Sequence, residues 1–260
     1  MTNFRAALWG EFIKARRSKV PLFTLLGFSI APLFGGFFML ILKDPELAKK
    51  AGMISVKAQT MAASADWPTF FRFFSQAAAV GGILLFGLVT SWVFGREFSD
   101  RTLKDLIALP TSRSTIVGAK FVVTAVWSAA LSLWILVLGI LIGGVIGLSG
   151  WSFEALIQGT ETLLLTTLLS VAVLSPIAFF AGVGRGYLAP MGIAILALVL
   201  AQVIGAAGWG EYFPWSVPAL QAGMVQDVQL QAKSYWIVLG TSLIGLGATF
   251  IWWKYADQTD

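Results

Sequence analysis

The sequence contains no cysteine and no histidine. Without thiols there is no disulfide framework, no thiolate zinc site and no cysteine nucleophile. Without imidazole, the commonest general base and the commonest metal ligand are both missing. Charge is scarce as well: Asp, Glu, Lys and Arg make up 12% of the 260 residues, about half the share of a soluble domain. Hydrophobic residues make up 57%, and the mean hydropathy is +0.81. These values exclude a disordered chain, a coiled coil and an ordinary water-soluble enzyme. They point to a protein dissolved in a bilayer.

A membrane helix needs about 20 apolar residues at 1.5 Å rise to cross a hydrocarbon core of roughly 30 Å. Six uncharged stretches meet that requirement and give spans over 20–42, 73–95, 118–148, 160–184, 187–209 and 234–253. They are continuously apolar, without the alternation of a barrel strand, so helices are expected. The first run exceeds the length of a signal-peptide core and is expected to be retained. The expected fold class is an all-α membrane protein with four parts. These are an amphipathic N-terminal helix over 1–19, a six-helix transmembrane domain over 20–254, a cytoplasmic segment over 96–117, and an outer re-entrant or interfacial loop over 210–233.

Six spans put both termini on one side. Twelve of the 18 basic residues lie on that side, from Arg5 to Lys19, from Arg96 to Lys120, and at Arg185 and Lys254. The other six are Lys43, Lys49, Lys50, Lys57, Arg72 and Lys233. This bias places both termini in the cytoplasm. Trp67, Trp151, Trp209, Trp215, Trp236, Trp252 and Trp253 sit near span ends, as an interfacial belt does. The net charge of +5 therefore describes membrane orientation, and no nucleic-acid partner is expected.

Two cytoplasmic elements carry more information. Over residues 100–109, Thr102, Leu103, Leu106, Ile107 and Leu109 fall on one half of a helical wheel, and Asp100, Arg101, Lys104, Asp105 and Ala108 on the other. Arg101 and Asp105 are four apart and can pair. Pro110 stops the helix, and residues 111–114 offer caps for the next one. The segment is too short to be stable alone. A surface connector and a docking helix for a partner both fit this composition. Ahead of the first span, Phe4, Leu8, Phe12 and Ala15 form an apolar stripe among basic residues, as in a helix lying in the headgroup layer.

The segment GREFSDRTLKDL over 95–106, LPTSR over 109–113 and GAK over 118–120, set between spans two and three, resembles the permease subunits of ABC-2-type transporters. It is most similar to the half-size permeases of the bacitracin-resistance and lantibiotic-immunity type. The wider family has glycine before the threonine, where this chain has Arg101. The resemblance implies a coupling helix that sits in a groove of a separate ATPase subunit. It implies Glu97, Asp100, Arg101, Lys104, Asp105 and Arg113 at or beside that contact, with Leu103, Leu106 and Ile107 packed inward. It also implies a second permease copy or a sister permease, and export of an amphiphilic substrate such as an antimicrobial peptide or drug from the inner membrane.

The chain has no Gly-x-x-x-x-Gly-Lys-Ser/Thr run to cradle phosphates. Its longest cytoplasmic segment has about 25 residues, too few for a nucleotide domain. No cofactor or metal is therefore expected on this chain, and ATP and magnesium belong to the partner. No catalytic residues are expected either. A non-transporting scaffold or sensor subunit remains as an alternative, and a lipid-modifying membrane enzyme as a remoter one. No ionisable residue falls in the middle of a span, which argues against an ion-coupled carrier.

Smaller features complete the reading. Gly139, Gly143 and Gly147, and again Gly182 and Gly186, have the spacing of close helix approach, within one chain or between two. Pro176 predicts a kink in span four. On the outer side Tyr212, Phe213 and Trp215, with Glu154 and Glu161 seven residues apart, form a candidate substrate or outer-gate region.

Overall fold

A computed structural model describes residues 2–44, 64–108, 110–225 and 230–256. The lysines at 49, 50 and 57, Leu109 and the side chain of Ile107 lie outside the described residues.

The chain opens with α1, Thr2–Arg17, and α2, Val20–Lys43. Then come α3, Trp67–Ser99, the short α4, Leu103–Ile107, and α5, Arg113–Ile146. They are followed by α6, Phe153–Val173, α7, Ser175–Val183, and α8, Leu188–Ala206. A 3-10 turn at Gly210–Tyr212, α9, Val217–Gln221, and α10, Ala232–Tyr255, complete the order. Six of these helical stretches are long and apolar enough to cross a membrane, with α6 and α7 forming one of them.

Local chemistry sets the helix starts. Asp66 caps α3 by accepting from the Thr69 amide at 2.9 Å. Ser112 caps α5 from the Thr115 amide at 3.2 Å, and Ser152 caps α6 from the Ala155 amide at 3.0 Å. α3 and α5 have 33 and 34 residues, or about 50 Å each at 1.5 Å per residue. That exceeds a hydrocarbon core of roughly 30 Å. The helices therefore run beyond the uncharged stretches and take in Arg72, Arg96, Glu97 and Arg113.

α3 is the most buried span and packs against α2, α5, α6, α7 and α8. Its side chains Phe70, Phe71, Phe74 and Phe86 form the core with Phe28 of α2 and Ile135 of α5. The glycines of α5 leave room for those rings. A Cβ at Gly143 would lie 2.6 Å from the Trp67 ring, and one at Gly139 would overlap the Phe74 ring. A Cβ at Gly182 would meet Trp252 at 2.8 Å. These three glycines thus serve packing within one chain. Trp67 and Trp253, read from the sequence as belt residues, are buried instead. Trp67 meets Trp151 and Phe71, and Trp253 meets Phe98. Trp151, Trp209 and Trp236 are exposed.

The span-four break falls at Leu174, two residues before Pro176. Pro176 has no amide to donate to the preceding turn. Tighter bonds close the gap, from the Leu174 amide to the Val171 carbonyl at 3.2 Å and from the Ile177 amide to the Leu174 carbonyl at 2.9 Å. The Ser175 hydroxyl donates across to the Ser242 carbonyl of α10 at 3.0 Å.

Candidate functional site

The termini, the segment after α3 and the turn after α7 meet at one end of the bundle. At its centre stands Lys120, eight residues into α5 and 0% exposed. Its ammonium donates to Glu97 Oε1 of α3 at 2.7 Å, to Glu11 Oε2 of α1 at 2.9 Å and to the Val93 carbonyl at 2.8 Å. Lys14 joins the cluster, donating to Glu11 at 2.6 Å and to Glu97 at 3.0 Å. Two lysines balance two carboxylates, so the group is neutral overall. That balance lets it stay away from water. The cluster ties α1, α3 and α5 together. Burial disfavours the Lys14 charge, but the carboxylates of Glu97 and Glu11 outweigh burial and hold its pKa above the ordinary value.

Glu97 is therefore turned into the bundle at 1% exposure. Arg113 is also engaged internally, donating to the Trp253 carbonyl at 3.3 Å. That contact sets a cation at the C-terminus of α10, where the helix dipole favours it. The exposed charges after α3 are Asp100, Arg101, Lys104 and Asp105. Leu103 is buried and Leu106 is half-buried against the core. The pairing of Arg101 with Asp105 does not form. Asp100 faces Arg96 at 3.5 Å instead. The reason is the backbone: Arg101 has φ 58°, which takes it off the helix, and α4 starts only at Leu103.

That left-handed residue belongs to a recurring helix end. The Thr102 amide donates to the Glu97 carbonyl and the Arg101 amide to the Phe98 carbonyl, at 3.0 and 3.3 Å. This is the Schellman arrangement, whose left-handed position glycine usually fills. Among the described residues, four further helix ends make the same pair of bonds, around Gly147, Arg185, Gly208 and Gly223. The three glycines lie at the end of the bundle away from the termini. The two arginines lie at the end that carries them. Arg185 has φ 46°, and its neighbour Gly186 is pressed against α3. A Cβ at Gly95 would sit 2.6 Å from the Gly186 carbonyl. Both arginines are exposed. A non-glycine residue in this conformation costs about 1–2 kcal/mol. Arg185, Lys120, Glu11 and Lys14 were not singled out as site residues from sequence. A basic residue following a helix end, where glycine is the rule, is the signal that would have found Arg185.

At the opposite end, Lys233 bridges the aromatic loop. Its ammonium donates to the Tyr212 hydroxyl at 2.9 Å and pairs with Glu211 at 3.0 Å. The Phe213 and Trp215 rings meet at 5.3 Å, tilted by 41°, and Trp215 packs against the cluster of Leu169, Val173, Val217 and Val238. Glu154 and Glu161 are both exposed, and Glu154 accepts from Gln158 at 3.0 Å. A cleft of about 310 Å³ lies beside them, lined by Arg72, Ser75, Gln158, Thr162 and Gln221. Tyr212, Phe213, Trp215, Glu154 and Glu161 do not line it. Asp66, beside this cleft, is partly buried. Hydrogen bonds from Ser64 and Thr69 and the charge of Arg72 nonetheless hold its carboxyl below the ordinary pKa. Among the described residues, no group of His, Cys, Asp and Glu is placed to hold a metal.

Residues 7–201, from α1 through most of α8, match the family model described as ABC-2 family transporter protein. The chain is also similar to the bacitracin transport permease protein BCRB of Bacillus licheniformis. The two are 29% identical over 177 residues, which cover 68% of this chain and 85% of that protein.

Proposed function

Because the chain belongs to the ABC-2 transporter family, as a multi-pass membrane permease subunit of an ABC exporter, we propose that its Arg101 edge docks on a separate ATPase subunit. That edge comprises Asp100, Arg101, Lys104 and Asp105, and Arg185 extends it from the neighbouring turn. ATP and magnesium stay on the ATPase, and this chain supplies the pathway.

The distribution of left-handed helix ends carries the reading. Where the chain needs only to turn, at Gly147, Gly208 and Gly223, it uses glycine. Where a partner would press from the terminal side, it holds arginine in the same conformation. Strain of this kind persists where a side chain has work to do. The guanidinium is a planar donor suited to carboxylates and to backbone carbonyls on a protein surface.

The mechanics follow from the attachments. Leu103 anchors α4 in the core, and the Schellman bonds fix it to α3. Force on the exposed edge passes into α3, and through Lys120 and its carboxylates into α1 and α5. Nucleotide-driven closure of two ATPase subunits would then shift spans as rigid bodies and alternate access to a pathway. Two copies, or one copy and a sister permease, build that pathway in the inner membrane with both termini in the cytoplasm. The cargo is an amphiphile of the antimicrobial-peptide or drug class, the class to which bacitracin in the relative's name belongs. The Arg72 cleft and the loop of Tyr212, Phe213 and Trp215 are its outer contacts, with Glu154 and Glu161 at the rim.

Co-purification with the ATPase and substrate-stimulated hydrolysis in proteoliposomes test this. Arg101→Glu with Lys104→Glu should abolish the complex and at least tenfold of the stimulated hydrolysis. Arg101→Gly suits φ 58° better than arginine does, so it should keep the fold and still weaken the complex. Undiminished complex formation in both variants would remove the docking assignment.

A further inference from the structure

The docking reading leaves one large feature unused. A groove of about 590 Å³ runs between α1 and the outer sides of α2 and α5. Its walls are almost wholly apolar, with Trp9 and Phe12 of α1, Leu25 of α2 and Val126 of α5 among them, and Arg5 and Arg16 also border it. The two arginines are eleven residues apart on α1. At 100° per residue they fall within about 20° of one another, on the same stripe as Trp9 and Phe12, and three turns apart along the axis. Both are exposed, and neither makes an ion pair or hydrogen bond among the described residues.

α1 thus has two working faces. Glu11 and Lys14 tie one to Lys120 and Glu97. The other face closes one side of the groove. The groove extends along α2 and α5, both membrane-spanning, to Leu25 and Leu131, and so opens where the solvent is hydrocarbon. An extended peptide would bring backbone amides into that layer without partners. An acyl chain carries none.

We propose that the groove is a binding site for one anionic phospholipid. An acyl chain lies along Trp9, Phe12, Leu25 and Val126, and the headgroup phosphate is held by Arg5 or Arg16. Net negative charge matters, because a zwitterionic headgroup brings its own cation to compete with the arginines. A filled groove presses α1 onto the bundle, and α1 contributes two of the four charges at the root of the docking segment. The site therefore links the lipid composition of the leaflet to the part of the molecule that receives force. It requires only that the spans lie in lipid, not that the partner reading holds.

The test uses the full chain in detergent, titrated with phosphatidylglycerol, with phosphatidylcholine of the same acyl chains, and with glycerol phosphate lacking chains. The readout is the thermal midpoint as a function of added lipid. Phosphatidylglycerol should raise the midpoint saturably, phosphatidylcholine should bind several-fold more weakly, and glycerol phosphate should do nothing. An arginine near an anionic headgroup contributes about fivefold in binding, and one phosphate meets one arginine, so Arg5→Gln with Arg16→Gln should weaken phosphatidylglycerol about fivefold. Val126→Trp fills the groove and should abolish the saturable response with both arginines intact. Equal responses to the two lipids, an unweakened double glutamine variant, a full response in Val126→Trp, or a response to glycerol phosphate alone would each overturn the site.

Discussion

Lys120 shows what a single residue does at the terminal end of this bundle. Its ammonium has no water contact and satisfies two carboxylates and a carbonyl from three directions. Removing one member of such a group leaves the remainder with one uncompensated buried charge, at a cost of about 3–5 kcal/mol. Lys120→Met should lower stability by that amount, measured by unfolding in detergent. Adding Glu97→Gln to it should recover part of the loss, because the orphaned charge goes too. Strictly additive losses in the two variants would show that the cluster does not act as a unit. Lys14 adds a pH signature. Its pKa is raised on folding, so its contribution is complete below the ordinary lysine value and fades as pH climbs through the raised one. None of this was visible along the chain. Lys120 reads as one more surface cation at the start of a span, and its partner Glu11 lies 109 residues away. Of the apolar half of the wheel over 100–109, Leu103 and Leu106 lie toward the core while Thr102 is exposed, because the helix begins only at Leu103.

Whole elements divide along the same line. Each span was legible, since a run of apolar residues long enough to cross lipid has few other uses. Which face of α5 meets α3 was not, because glycine spacing marks a close approach without naming the neighbour. The structure supplies the neighbours: Phe74 lies against Gly139, Trp67 against Gly143, and nothing within 4 Å of the place where a Cβ of Gly144 would be. Two adjacent glycines of one helix should therefore respond oppositely. Gly143→Ala forces a methyl into a buried indole and should cost about 1–3 kcal/mol. Gly144→Ala points into open space and should be neutral or slightly stabilising. Thermal midpoints of the two purified variants decide it, and equal loss in both would mean that Gly144 faces a second chain. Trp67 and Trp253 were misread for a related reason. Both stand at span ends, where tryptophan commonly meets the interface, but the space left by Gly143 for one and the contact of Phe98 with the other draw them inward.

The molecule as a whole is polar in direction, and its two ends differ in kind. One carries the buried charges, both left-handed arginines and the basic face of α1. The other carries left-handed glycines, the aromatic loop and the Arg72 cleft. The excess of basic residues at the first end predicts that it faces the cytoplasm, and the docking reading requires this, because ATP is there. The absence of cysteine makes the test direct, since any introduced thiol is the sole target in the chain. Lys104→Cys and Glu154→Cys replace exposed side chains at opposite ends. In intact cells that express this chain without the ATPase, a membrane-impermeant maleimide should label Glu154→Cys and leave Lys104→Cys untouched, and permeabilisation should expose both. Labelling of Lys104→Cys from outside would invert the molecule. It would also leave Arg101 and Arg185 with no nucleotide-driven partner to meet, whatever the family implies about the rest of the chain.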